Sequence, residues 1–275
     1  MESLALDVTG LHHAFHRGSP NEVWALHGVD LALEPGAFVV VVGPNGSGKS
    51  TLLSAIAGDF VPDRGTVRLG GVDVSRWPVH ERARRMSRVS QAPYAGTAPS
   101  LTVAENLALA DQRDTGRRGL RAALDPATRG RLAARVATLG MGLESRLDAP
   151  IGQLSAGQRQ ALTLLMATLV RPDLLLLDEH TAALDPRSAE HVLRLTRDLI
   201  ERDRLTTLMV THSMAQAVRL GDRAIMMHGG RVVHDFTGPG KRRLRVDDLL
   251  DYFEQVRNAD LLDDSAAGML SREYV

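Results

Sequence analysis

The sequence predicts an α/β chain in which helices cover a mostly parallel sheet. Three observations lead there. The aliphatic run Ala37–Val42 empties directly into Gly43-Pro44-Asn45-Gly46-Ser47-Gly48-Lys49-Ser50-Thr51, and an apolar helical stretch, Leu52–Ala57, follows. A second aliphatic run, Leu174–Leu177, ends in Asp178-Glu179. Around these two runs, strand-like and helix-like segments alternate, the pattern of parallel strands joined by covering helices.

In chain order, alternation at Val29, Leu31 and Leu33 reads as a half-buried strand, and Ala37–Val42 as a strand buried on both faces. Short strands are expected near Val67–Leu69 and Arg88–Ser90. Residues 95–150 change character: helical segments at Val103–Ala110 and Ala127–Leu139 flank an Arg/Gly-rich link, Gln112–Arg121, and read as a helical insertion. A helical run, Arg159–Val170, follows Leu154-Ser155-Ala156-Gly157-Gln158. Alternation then resumes with strand Leu174–Leu177, helix Pro186–Glu201, strand Thr206–Val210, helix Met214–Leu220 and strands Ala224–Met227 and Val232–His234. The tail offers a helix at Val246–Phe253 and then a polar, loose end.

Composition narrows the class. Basic and acidic residues balance, 33 against 33, so no bulk charge holds the chain to nucleic acid, and no nucleic-acid partner is expected. The absence of cysteine excludes disulfides and thiolate metal sites. The start, MESLALDVTG, lacks the charged and apolar regions of a secretory signal. The longest nearly apolar run, Ala161–Val170, is too short for a bilayer, which needs about 20 residues. The reading is a soluble, cytoplasmic protein. Lys49 and Lys241 are the only lysines in an arginine-rich chain, which points to a place where a compact ammonium is required. His12, His13 and His16 cluster without a spacing that would converge on a metal, and read as surface residues.

The stretch Gly43–Thr51 matches G-x-x-x-x-G-K-[ST] between a buried strand and a helix, the context a phosphate-binding loop requires. Its glycines let the backbone wrap a phosphate, and the helix start adds partial positive charge. Lys49 is expected to reach the β- and γ-phosphates, and the Ser50 hydroxyl to ligate Mg2+. Leu174–Leu177 delivers Asp178 and Glu179 to the carboxyl end of the sheet, where α/β folds bind ligands. Asp178 is expected to hold Mg2+, directly or through water, and Glu179 to act as general base on the attacking water.

The phosphate loop, Leu154–Gln158, the Leu174–Glu179 strand and His212 occur in the order that characterises nucleotide-binding subunits of ABC transporters, and residues 3 to 240 resemble that family. The resemblance implies a P-loop NTPase core with a mixed, mostly parallel sheet, an antiparallel β-subdomain and an inserted helical subdomain. As domains, it implies a RecA-like core from 1–94 and 151–240, a helical part from 95–150 running into the signature helix, and a short tail from 241–275. It also implies an Mg-dependent ATP hydrolase with ATP and Mg2+ as ligands. Gln91 resembles the glutamine that senses Mg2+ and the membrane partner; Ala183-Leu184-Asp185 resembles the segment crossing the dimer interface. His212 resembles the histidine that contacts the γ-phosphate and orients Glu179, and Phe15 the aromatic that stacks on adenine, a task for which His16 or Trp24 could also serve. Ser155, Ala156, Gly157 and Gln158 would meet ATP held by a second subunit, in a homodimer of two competent sites. Two departures stand out: Ala156 replaces the signature's usual first glycine, and His180 replaces the proline that usually follows the glutamate.

Without a membrane span, such a switch acts on another chain, and the resemblance implies transmembrane permease subunits docked on the helical insertion at the cytoplasmic face. Ala95–Leu107, Leu162–Val170 and Glu179–Pro186 are similar to a bacterial importer branch that works with an extracytoplasmic substrate-binding lipoprotein and is often assigned to amino acids, aromatic ones included. An exporter or a lipoprotein-release ATPase shares the same nucleotide chemistry. A DNA-repair or chromosome ATPase would need a coiled coil or zinc-bearing insertion that the short Lys49–Ser155 interval cannot hold, and a translation factor would usually carry two cassettes.

Overall fold

A computed structural model describes residues 3–92, 95–113 and 124–258; part of the Gln112–Arg121 link and the tail beyond residue 258 lie outside the described residues. The first strands, β1 (Leu6–Phe15), β2 (Val23–Leu33), β4 (Arg64–Leu69) and β5 (Val72–Asp73), form a four-stranded antiparallel sheet in the order β2-β1-β4-β5. The second sheet holds β3 (Phe38–Val42), β6 (Met86–Val89), β7 (Leu174–Asp178), β8 (Thr207–Thr211), β9 (Arg223–His228) and β10 (Arg231–Phe236). Its order is β10-β9-β3-β8-β7-β6, parallel throughout except for β10 at the edge.

The aliphatic runs explain themselves once the layers are in view. Val39 and Val41 of β3, with Leu174 and Leu176 of β7, face a core that also takes α1 (Lys49–Ala57) and the antiparallel sheet. Phe38, Val40, Val42, Leu175 and Leu177 face the opposite side, against α5 (Ala156–Leu169), α6 (Pro186–Asp203) and α7 (Met214–Arg219). Successive residues of a strand point to opposite faces, so a strand between two apolar layers must be apolar at every position. A third core joins α3 (Val103–Asp111), α4 (Pro126–Ala137) and one side of α5.

The helix starts are written locally. Thr102 and Glu105 form a capping box at α3, Asp125 caps α4, and Asp185 caps α6 with Pro186 in the first turn. The short helices α2 (Val79–Arg82) and α8 (Gly238–Arg243) were not expected from the sequence. The last helix, α9, spans 246–258, longer than the expected Val246–Phe253. Its Leu249 is fully buried, and Tyr252 packs at a tilt on His234 of β10, ring centroids 4.3 Å apart. Among the described residues no helix is long and apolar enough to cross a membrane.

Strand β1 and the first half of β2 escaped the sequence reading. The pairing of β1 with β2 shifts register between Val8 and Leu11, around Gly10 with φ +56°. That bulge moves the apolar phase from Leu6 and Val8 to Leu11, so period-two alternation fails across it. The histidines there are also less superficial than expected. His13 is half-buried, stacked at 3.9 Å on Phe60 and 3.3 Å from an Asp63 oxygen, and His12 packs edge-on to Trp24. His16 is exposed, as expected.

Candidate functional site

The loop Gly43–Gly48 joins β3 to α1 at the carboxyl edge of the parallel sheet. Gly48, at φ +95°, starts the helix; a Cβ there would lie 2.5 Å from the Ala25 carbonyl oxygen, so only glycine fits. No side chain caps α1, which leaves its first amide N–H groups for an anion. Ser47 Oγ, in the same loop, is buried with no hydrogen-bond partner. Lys49 Nζ donates to its own loop, to Gly43 O and Pro44 O at 2.8 Å each. Burial pushes its ammonium below the usual range, against the pull of Glu179 and Asp178. The other lysine, Lys241, is also buried and donates to Val218 O in the last turn of α7, a structural use.

Strand β7 brings its carboxylates to this loop. The Ser50 hydroxyl lies 3.4 Å from Asp178 Oδ1. A hydroxyl and a carboxylate oxygen, both hard donors beside a phosphate cradle, fit Mg2+. Asp178 Oδ2 accepts from Arg88 Nη2 at 2.7 Å, a partner no local sequence signal announces, because it depends on β6 docking beside β7. Glu179 follows at φ +46°, the left-handed region that costs a side-chain-bearing residue strain. Its Oε2 stands 3.3 Å from Nδ1 of His212, which follows β8. Glu179 is mostly covered, whereas the His212 side chain is 57% exposed.

A cleft of about 700 Å3 is lined by Gly43, Pro44, Asn45, Glu179 and His212, together with Met214, His228 and a wall of α9 residues, Leu250, Phe253, Glu254 and Arg257. The α9 wall is a second feature that sequence reasoning missed. Gln91 lies two residues beyond Val89, which pairs with Leu177 two residues before Glu179; it is exposed beside the strand end.

The remaining site candidates lie elsewhere. Phe15 is exposed at the end of β1, edge-on to His13 at 4.9 Å and to Phe60 at 6.1 Å, and does not line the cleft. Nor do Ser155, Ala156, Gly157 and Gln158. These four open α5 as a capping box: Ser155 Oγ accepts from Gln158 N, and Gln158 Oε1 from Ser155 N, each at 3.2 Å. Gln158 also donates to Met141 O, so its amide is engaged within its own chain. Ala156 is exposed at an ordinary helical φ, so its methyl group brings no strain. Gly157 has no such freedom: a Cβ there would sit 2.9 Å from Ser188 Cβ of α6. Asp185, in the segment expected to cross a dimer interface, accepts from Arg187 N and Ser188 N. His180 turns inward rather than toward the cleft, with Nε2 3.0 Å from Thr196 Oγ1 and Nδ1 unpaired. Burial lowers its pKa to about 4.

Loop, strand end and histidine define a phosphate-loop nucleotide hydrolase site. The family model described as ABC transporter matches residues 26–182. A tyrosine transport ATP-binding protein of Clostridioides difficile is 40% identical over 251 residues, covering 90% of this chain and 98% of that protein. The lipoprotein-releasing system ATP-binding protein LolD 1 of Caulobacter vibrioides is 37% identical, covering 86% of this chain and 97% of that protein. Among solved structures, a dimeric ATP-binding cassette in a post-hydrolysis state, bound to ADP and Pi, aligns with a TM-score of 0.72 at 27% identity, over 84% of this chain and 98% of that one. The chain belongs to the ABC transporter family, as an ATP-binding, ATP-hydrolysing subunit.

Proposed function

We propose that this chain binds ATP over the phosphate loop, pairs with a second copy to hydrolyse it, and thereby drives a membrane importer of small solutes, amino acids foremost. The observation that carries the reading is the convergence of Ser50, Asp178, Glu179 and His212 at one sheet edge, around a lysine already held over the loop.

In this reading Lys49 leaves the Gly43 and Pro44 carbonyls for the β- and γ-phosphate oxygens, and the α1 amides take the remainder of that charge. Ser50 and Asp178, with Gln91 beside them, would hold Mg2+, which neutralises charge on the β- and γ-phosphates. Glu179 Oε2 accepts a proton from the attacking water, and His212 steadies that carboxylate from Nδ1 while meeting the γ-phosphate. Phe15, or the nearby Trp24 or His16, stacks on adenine. Ser155 and the amides of Ala156 and Gly157, at the start of α5, serve ATP held by the partner, with Gln158 fixing their geometry. Hydrolysis then removes the charge that joins the two copies.

The chain so read is peripheral, at the cytoplasmic face of the membrane, docked to permease subunits through residues 95–150 and served by an extracytoplasmic substrate-binding protein. The 40% identity to a tyrosine transport protein supports amino acids, aromatic ones included. Lipoprotein release is the second reading, supported by the 37% identity to LolD 1. Purification with the membrane partners separates the two: a ligand-loaded binding protein supports import, and its absence with a lipoprotein bound supports release.

Glu179→Gln keeps size and hydrogen bonding but removes the base. We expect it to elute as an ATP-bound dimer in size-exclusion chromatography with ATP and Mg2+, with turnover reduced at least ~100-fold. A variant that stays monomeric under those conditions overturns the mechanism.

A further inference from the structure

We infer that Arg88 is a positioning residue that restricts Asp178 to a single oxygen toward a divalent cation, and so sets the preference of the site for Mg2+ over Ca2+. The inference rests on the reading of Asp178 as a cation ligand.

Arg88 lies on β6, opposite Leu176 of β7, and Asp178 follows two residues later on the same face. The register therefore sets the guanidinium diagonally beneath the carboxylate, within reach of a long side chain. Both arms of the fork are occupied. Nη2 donates to Asp178 Oδ2 and Nη1 to Asp59 Oδ2, each at 2.7 Å, and Ser54 Oγ lies 3.5 Å from Nη1. A guanidinium clamped between two carboxylates does not swing away, because its planar donors fit both at once. The Asp178 side chain is 12% exposed, so water competes poorly for Oδ2.

The two Asp178 oxygens therefore do different work. Oδ2 is committed to Arg88, while Oδ1 faces the Ser50 hydroxyl. Mg2+ suits such a donor: it is small, octahedral, keeps several waters and uses one oxygen of a carboxylate. Ca2+ gains from bidentate carboxylates and larger, flexible shells. With Oδ2 tied down, the bidentate mode is closed, and the site offers Ca2+ less than it offers Mg2+. No feature of the phosphate loop alone imposes that discrimination.

The test uses the full chain loaded with ADP and measures free Mn2+ by electron paramagnetic resonance, with Mg2+ and Ca2+ as competitors. In Arg88→Gln the ratio of Mg2+ to Ca2+ affinity is expected to fall about tenfold, with affinity for metal-free ADP unchanged. Asp59→Ala, which frees the outer arm at an exposed carboxylate without touching Asp178, is expected to shift the ratio the same way by a smaller factor. It also keeps the test open should Arg88→Gln fail to fold. Arg88→Lys, which retains charge and one donor, should restore part of the preference. An unchanged ratio in the folded Arg88 and Asp59 variants overturns the inference. If instead Asp178→Asn binds Mn2+ with ADP as tightly as the parent, the reading of Asp178 as a cation ligand fails, and that result is distinct.

Discussion

His180 follows Glu179 in sequence yet belongs to the core. It is 2% exposed and shares a hydrogen bond with Thr196, whose hydroxyl donates onward to Val192 O. Burial favours the neutral ring, holding the folded pKa near 4 against an ordinary 6.5. Between those two values the unfolded chain takes up a proton that the folded chain refuses. This group therefore costs nothing above pH 6.5, and stability falls as pH drops toward 4, by up to roughly 1.4 kcal/mol per pH unit. Urea midpoints between pH 4.5 and 7 should slope less steeply in His180→Gln than in the parent. Equal slopes would place the acid sensitivity elsewhere. Near the site, then, a histidine where a proline is usual adds no working acid or base; it adds a pH limit on the fold.

Among the elements, α1 ends as deliberately as it begins. Arg82, 1% exposed, donates Nη1 to the Ala55 and Ile56 carbonyls, Nη2 to Ser75 O and Nε to Trp77 O. One guanidinium thus satisfies the last turn of α1 and pins it to the antiparallel sheet's connection. Arg82→Met preserves volume but strands those carbonyls, and about 2–4 kcal/mol of stability should be lost in denaturant titration. A loss below ~0.5 kcal/mol would mean that water replaces the fork. Nothing in the sequence marked Arg82 or Arg88, because each anchors to elements distant along the chain, Arg82 to the end of α1 and Arg88 to Asp59 and Asp178. What was legible had local causes. The aliphatic runs declared β3 and β7, whose residues alternate between two cores, and the glycines and Lys49 declared the loop. The bulged β1, the arginine anchors and the α9 wall required the assembled fold. Even Ser155-x-x-Gln158 carries a local meaning, a capping box, beneath its family meaning.

At the scale of the whole molecule, the two halves of the expected ATP site do not meet within one chain. The cleft gathers loop, Glu179 and His212, while Ser155–Gln158 open α5 outside it. A second copy is the natural way to join them, and a cassette of known structure that resembles this chain is dimeric. The α9 wall sets Leu250, which is 45% exposed, on the same cleft as His212.

The backbone of Glu179 carries a consequence for such assemblies. At φ +46° this residue holds a conformation that glycine adopts freely and that costs other residues about 1 kcal/mol or more. Glu179→Gly should therefore abolish phosphate release while leaving the melting temperature equal to or above that of the parent; a clear drop would show that the His212 contact outweighs the strain. Foldability and turnover thus pull in opposite directions at one position. A gene copy that loses its base at this point keeps a sound fold, still carries its Ser155–Gly157 segment, and can serve a competent partner. Lopsided pairs, with one working site and one silent one, are the mutational neighbours this backbone makes easiest to reach.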